Sequence, residues 1–318
     1  MSIPDPQSLK WPADRALLLV HGVGNAKPGD YDPLVKQVTG ILAGLPKPYA
    51  VYMFYYDYIN EWFSQRFQAP LAVTQLMNAL HARVGGPGLG DTIASFVGDV
   101  IWPILSLDGR DAVRTALFRQ IRQILLDGAT AGIPTPERRL SIICHSLGCF
   151  HVFEALHAAA SDTTQQLSPA QGVQFDNVIF MASPVQLIAT IGADIRAAVP
   201  RASDLACMSS SSLQMPSADD GFGTRVPTAR RTASITGNLD PVGGYVSRDP
   251  LAWAYMNLPG QVSEIDQQEL VGMKSADLQT ILQGALHASA PPTITPQNPH
   301  DWSNYVARHA SDLQTWLA

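Results

Sequence analysis

Three short strings in this chain carry residue types that together perform nucleophilic acyl chemistry: Cys144-His145-Ser146-Leu147-Gly148, Asn238-Leu239-Asp240-Pro241-Val242 and Asn298-Pro299-His300-Asp301. A serine hydroxyl is a weak nucleophile until a base takes its proton, and an acid that orients the base and stabilises its charged form completes the set. Ser146, Asp240 and His300 supply these roles in the order nucleophile, acid, base. Ser146 lies between a strand-like run at 140–144 and a helix-like run at 149–156. A sharp turn between a strand and a helix lifts a hydroxyl above the sheet edge, where a base can reach it. The turn pattern is G-x-S-x-G, with small residues where the chain is crowded. Gly148 keeps the second glycine, and Cys144 replaces the first. Cys144 is read as a small structural residue whose side chain faces away from substrate.

Other residues compete for two of the roles. His287 rivals His300 from a helix-like context, and His309 falls on the polar side of the closing helix. Asp266 follows a weak strand and rivals Asp240, which stands on an Asp-Pro turn directly after a strand. Two backbone N–H groups are expected to face the developing oxyanion. One belongs to Leu147, the residue after the nucleophile. The other is assigned to Val23, in the glycine-containing turn His21-Gly22-Val23-Gly24. Neither that turn nor Gly85-Gly86-Pro87-Gly88-Leu89-Gly90 has the lysine or the spacing of a phosphate-binding loop.

These residues need a sheet to hold them. The run at 16–20 is continuously apolar, as a parallel strand buried on both faces must be. Further strands are predicted at 49–56, 140–144, 177–182, 232–236 and, weakly, 262–265. Helices are predicted at 31–45, 112–126, 149–156 and 302–317. Such alternation predicts an α/β fold, a mostly parallel sheet flanked by helices. One domain over 1–318 is expected, with insertions at 58–108, 185–231 and 274–297. The first is an apolar helical cap, with Trp62, Phe63, Phe67, Phe96 and Trp102 available to line a substrate pocket.

The bulk composition narrows the partners. Net charge is −6 with no Lys/Arg cluster, which argues against nucleic acid. Charged residues are only 15% of the chain, below the usual share of about 25%, as expected of a surface that shares apolar area with a ligand or lipid. The three cysteines, Cys144, Cys149 and Cys207, imply no disulfide framework. The first residues lack the basic and apolar regions of a signal peptide, and no stretch spans a bilayer, so a cytoplasmic location is expected.

Taken together, the chain resembles the α/β-hydrolase superfamily, in particular bacterial lipases and esterases. It is also similar to serine hydrolases related to GPI-inositol deacylase. The resemblance rests on 19–24, 51–57, 144–148, Met181-Ala182-Ser183-Pro184, 238–242 and 300–305. It implies the α/β-hydrolase fold and a two-step acyl transfer to water through an acyl-enzyme, with neither metal nor organic cofactor. The expected substrate is a hydrophobic acyl ester, with transient lipid-surface contact through the cap. Thioesterase, lactonase, amidase and acyltransferase use the same machinery, and the fold also hosts non-catalytic binding proteins.

Overall fold

The computed structural model describes residues 5–22, 27–59, 107–161, 175–183, 231–235, 262–265 and 301–318. Six strands form one sheet: β1 (Arg15–Val20), β2 (Tyr49–Phe54), β3 (Arg139–His145), β4 (Phe175–Met181), β5 (Arg231–Ile235) and β6 (Val262–Ile265). Their spatial order is β2-β1-β3-β4-β5-β6, and every neighbouring pair is parallel. The helices are α1 (Asp32–Leu42), α2 (Leu107–Thr130), α3 (Leu147–Ser161), α4 (Trp302–Arg308) and α5 (Ala310–Leu317). The α/β class expected from the sequence is the one observed.

β1 is apolar from Ala16 to Val20 because both of its faces are covered. Ala16, Leu18 and Val20 join the core beneath α2 and α3, while Leu17 and Leu19 join the core beneath α1, α4 and α5. Helix spacing follows the same division. Leu34, Val38 and Leu42 recur every fourth residue along α1 and are buried. Val113, Ala116, Leu117, Ile121 and Ile124 form the buried stripe of α2. Each fully buried Leu or Ile contributes about 1.5–3 kcal/mol relative to exposure, so this three-layer packing is the main stabilising term.

Several boundaries differ from the sequence reading. The strand expected over 49–56 stops at Phe54, and Tyr56 turns inward. Helix α2 begins at Leu107, Ile59 is fully buried and Tyr58 packs on the core, and the segment between them, most of the cap expected over 58–108, lies outside the described residues. The closing helix is two helices. His309 stands at their joint, ends α4 through its N–H to the Tyr305 carbonyl and starts α5 by accepting from Leu313 N–H. It is buried rather than on a polar face, and its Nδ1 lies 3.1 Å from Asp312 Oδ2. Neither glycine nor proline marks this break, so the apolar spacing runs through it.

Both ends of the described fold are tied to the sheet. In the N-terminal segment Ser8 Oγ donates to Asp127 Oδ1 (2.7 Å) and Leu9 N–H to Asp127 Oδ2 (2.8 Å). Gln7 and Gln120 exchange two hydrogen bonds, each 2.8 Å. At the other end, Arg15 Nη1 and the Tyr49 hydroxyl both donate to the Leu317 carbonyl at 2.7 Å. Among the described residues no helix is long and apolar enough to cross a membrane.

Candidate active site

The strand order reverses direction at β1. The chain leaves β1 for β2 on one side, then returns through α2 to β3 on the other. In open parallel sheets the crevice beyond the carboxyl ends of the strands flanking such a reversal is where ligands bind. Here those ends carry His21-Gly22 after β1 and Ser146 after β3.

Ser146 occupies the left-handed region at φ +52°, which a side chain disfavours by about 1–2 kcal/mol. The surroundings hold it there. Its N–H donates to the Met181 carbonyl (3.0 Å), and its carbonyl accepts from Cys149 N–H (2.9 Å). The turn is also pressed against the end of β1. A Cβ on Gly22 would lie 2.6 Å from Ser146 Cβ, and one on Gly148 would collide with the His21 carbonyl oxygen. Glycine is therefore required at both positions by close approach. The Leu147 N–H is the first of α3, one of the four that a helix leaves without an internal partner, and it lies at the positive end of the helix dipole.

Cys144 explains how the first glycine of the pattern is dispensed with. Its side chain enters the core shared with α2 and α3, and its Sγ donates to the Ile179 carbonyl at 3.4 Å. Burial, followed by the neighbouring Cys149 thiol, raises its pKa well above the usual range. The thiol stays protonated, as the structural role expected of it requires. Cys149 Sγ makes the parallel contact to the Met181 carbonyl at 3.4 Å.

A layer of aromatic residues surrounds the turn. The buried His21 ring stacks on Tyr56 (centroids 4.4 Å, 3°) and on Tyr31 (5.1 Å, 20°). Its pKa is pushed down to about 4 by burial, against the opposing effect of its bond to the Gly22 carbonyl. Tyr56 is raised well above the ordinary phenol range, first by burial and then by the Asp57 charge. His145, the last residue of β3, stacks on Trp302 (5.4 Å, 9°). Trp302 is the first residue of α4, whose N-cap Asp301 is buried and accepts Ser303 N–H at 2.8 Å. Trp302, two residues after His300 in the sequence, thus lies beside the residue preceding Ser146.

The structure therefore brings together Ser146, Leu147, His21-Gly22, Met181-Ala182 and Asp301-Trp302. Ala182 is a second non-glycine residue at φ +52°, its N–H donating to the Ile235 carbonyl (2.9 Å). Val23, Asp240, Asp266, His287, His300, Cys207 and the cap aromatics Trp62, Phe63, Phe67, Phe96 and Trp102 lie outside the described residues. The sequence reading did not single out His21, Tyr31, Tyr56, His145 or Trp302 as site residues. The available signals were the aromatic density of 52–56 and the Asp-Trp pair after His300. Among the described residues no group of three His, Cys, Asp or Glu side chains could hold a metal. No family model matches the chain, and neither a curated protein nor a solved structure matches it.

Proposed function

We propose that this protein is a serine hydrolase of the α/β-hydrolase type that cleaves hydrophobic carboxylic esters. The observation that carries this reading is Ser146. It is a non-glycine residue at φ +52° between a parallel strand and a helix, at the reversal of strand order, with glycines at 22 and 148 making room for it. Backbone strain of this kind persists where the surroundings over-determine it, characteristically at functional sites. His21 cannot be the base, because both ring nitrogens are engaged by backbone groups.

In the proposed mechanism Ser146 Oγ attacks the ester carbonyl carbon while His300 takes the hydroxyl proton. Asp240 holds the His300 ring and stabilises its charge. The tetrahedral oxyanion receives the N–H groups of Leu147 and Val23. Collapse breaks the bond to the alcohol, which leaves with the proton from His300. Water then repeats the sequence on the acyl-enzyme and releases the carboxylic acid. The apolar segment after Ile59 would shape the acyl pocket.

The test is labelling by a fluorophosphonate together with turnover of p-nitrophenyl esters. Wild type should label and turn over, and Ser146→Ala should do neither while remaining folded. His300→Ala should lower kcat by about three or more powers of ten, and Asp240→Asn by a similar or smaller factor. Labelling and turnover that survive in Ser146→Ala would overturn the serine mechanism. Inactivity of His287→Ala with an active His300→Ala would move the base.

A further inference from the structure

We propose that Cys149 is a positioning residue for Ser146, its thiol and its N–H together holding the strained turn in the conformation the reaction uses. The inference rests on the serine-hydrolase reading above and goes beyond it by assigning a role to a fully buried core residue.

Four hydrogen bonds meet at the turn. Ser146 N–H donates to the Met181 carbonyl at 3.0 Å, and Cys149 Sγ donates to the same carbonyl at 3.4 Å. A carbonyl oxygen has two lone pairs, so it accommodates both donors. Cys149 N–H donates to the Ser146 carbonyl at 2.9 Å. On the other side of the Met181–Ala182 peptide, the Ala182 N–H donates to the Ile235 carbonyl at 2.9 Å. A trans peptide is planar, and its C=O and N–H point in opposite directions. The Met181–Ala182 peptide is therefore tied on both sides, to the turn after β3 and to the end of β5.

A residue's φ and ψ are set by the peptide planes before and after it. The bond from the Ser146 N–H fixes the first plane, and the bond to its carbonyl fixes the second. Cys149 acts on both, on the second through its own N–H and on the first through the thiol on the Met181 carbonyl. Such support matters because Ser146 sits at φ +52°, a conformation that relaxes unless its surroundings hold it. The second plane also carries the Leu147 N–H, the donor that the proposed mechanism directs at the oxyanion. A donor is most effective when already oriented before charge develops. Loosening the bracket should therefore cost the transition state rather than substrate binding. Cys144 supplies a matched comparison. Its Sγ also donates to a carbonyl at 3.4 Å, but to that of Ile179, two residues before Met181 in β4.

Serine and alanine are close in volume, so Cys149→Ser and Cys149→Ala leave similar space and differ in the donor. Cys149→Ala should lower kcat by about tenfold, the order of one net hydrogen bond, with KM changed by less than about twofold. The inhibition constant of an alkylboronic acid, which forms a tetrahedral adduct on the serine, should weaken in step with kcat/KM. Cys149→Ser, which restores a donor, should return to within about threefold of wild type, and Cys144→Ala should stay within the same range. Circular dichroism checks that each variant is folded. Should Cys149→Ala not fold, Cys149→Val, which also lacks a donor, replaces it in the comparison. A donor-free variant with wild-type kcat and unchanged boronate affinity would overturn the inference, even if its melting temperature fell. Equal losses in Cys149→Ala and Cys149→Ser, or in Cys149→Ala and Cys144→Ala, would also overturn it by tracing the effect to packing. Ser146→Ala run in parallel separates the two failures. An inactive Ser146→Ala beside a fully active Cys149→Ala rejects the bracket alone, and an active Ser146→Ala rejects the serine reading and the bracket with it.

Discussion

Ser146, Gly22 and Gly148 form a steric unit in which neither glycine can take a side chain while the others stay in place. The strained serine backbone is tolerated because the His21-Gly22 segment and the start of α3 leave room for nothing else. Gly148→Ala would set a methyl group against the His21 carbonyl oxygen, a backbone atom that cannot swing aside. Fluorophosphonate labelling of this variant should fall by about 10²-fold or more, since a displacement of about 1 Å at a reacting group has that effect. Cys144→Ala should keep most of the wild-type rate, because the Cys144 side chain lies in the core and not at the turn. Gly148 and Ser146 were legible because a tight turn imposes local sequence rules. Gly22 was legible only as part of a glycine-rich turn, and its contact with Ser146 joins residues 124 positions apart, beyond any spacing rule. The Tyr56 hydroxyl bonds to His21 and Gly22 were hidden for the same reason.

At the scale of elements, strands were legible where burial on both faces left apolar runs, continuous at 16–20 and broken only by Ser141 at 140–144. Helix ends were less so. The polar stretch Asp108 to Asp111 contains a glycine and resembles a loop, yet it belongs to α2, a 24-residue helix whose later turns pack on the core and carry it. Trp302 to Leu317 keeps one apolar spacing across two helices because Leu313 and Leu317 continue the stripe of Trp302, Tyr305 and Val306. The cap expected over 58–108 carries a prediction of its own. If 60–106 encloses an acyl chain, each added CH₂ should contribute about 0.8 kcal/mol, roughly fourfold in kcat/KM, until the pocket is full. Acetate through octanoate esters should show this rise, and Phe67→Ala and Phe96→Ala should shift the preferred length while sparing the acetate rate. A flat profile shared by all three proteins would make the segment a packing element.

For the molecule as a whole, Asp127 ties the N-terminal segment to α2 and β2. Its carboxylate accepts from Leu9 N–H, Ser8, Gln123 and the Tyr52 hydroxyl, which itself accepts from Trp11 Nε1. Burial acts to raise its pKa, but these bonds outweigh it and leave the value below that of a free aspartate. A depressed carboxylate pKa adds stability that is present above the unfolded value, near 3.8, and lost as pH falls through the folded one. Asp127→Asn should therefore cost about 1.5–3 kcal/mol at pH 7, the range for hydrogen bonds to a charged group, and less at pH 3. Urea midpoints at the two pH values test this, and an equal loss at both would exclude the charge as the cause. A different whole-molecule property follows from the way α4 and α5 are fastened. Trp302 is seated on His145 at the carboxyl ends of the strands, and the Leu317 carbonyl is held by Arg15 and Tyr49 at their amino ends. The helix pair is a tie rod with both ends pinned. One residue inserted in α5 would have to be absorbed as about 1.5 Å of travel and 100° of rotation, either by the Leu317 fastening or by Trp302. Mutational sensitivity at Ser146 can thus originate at the far edge of the sheet, in residues that no map of distance from Ser146 would select.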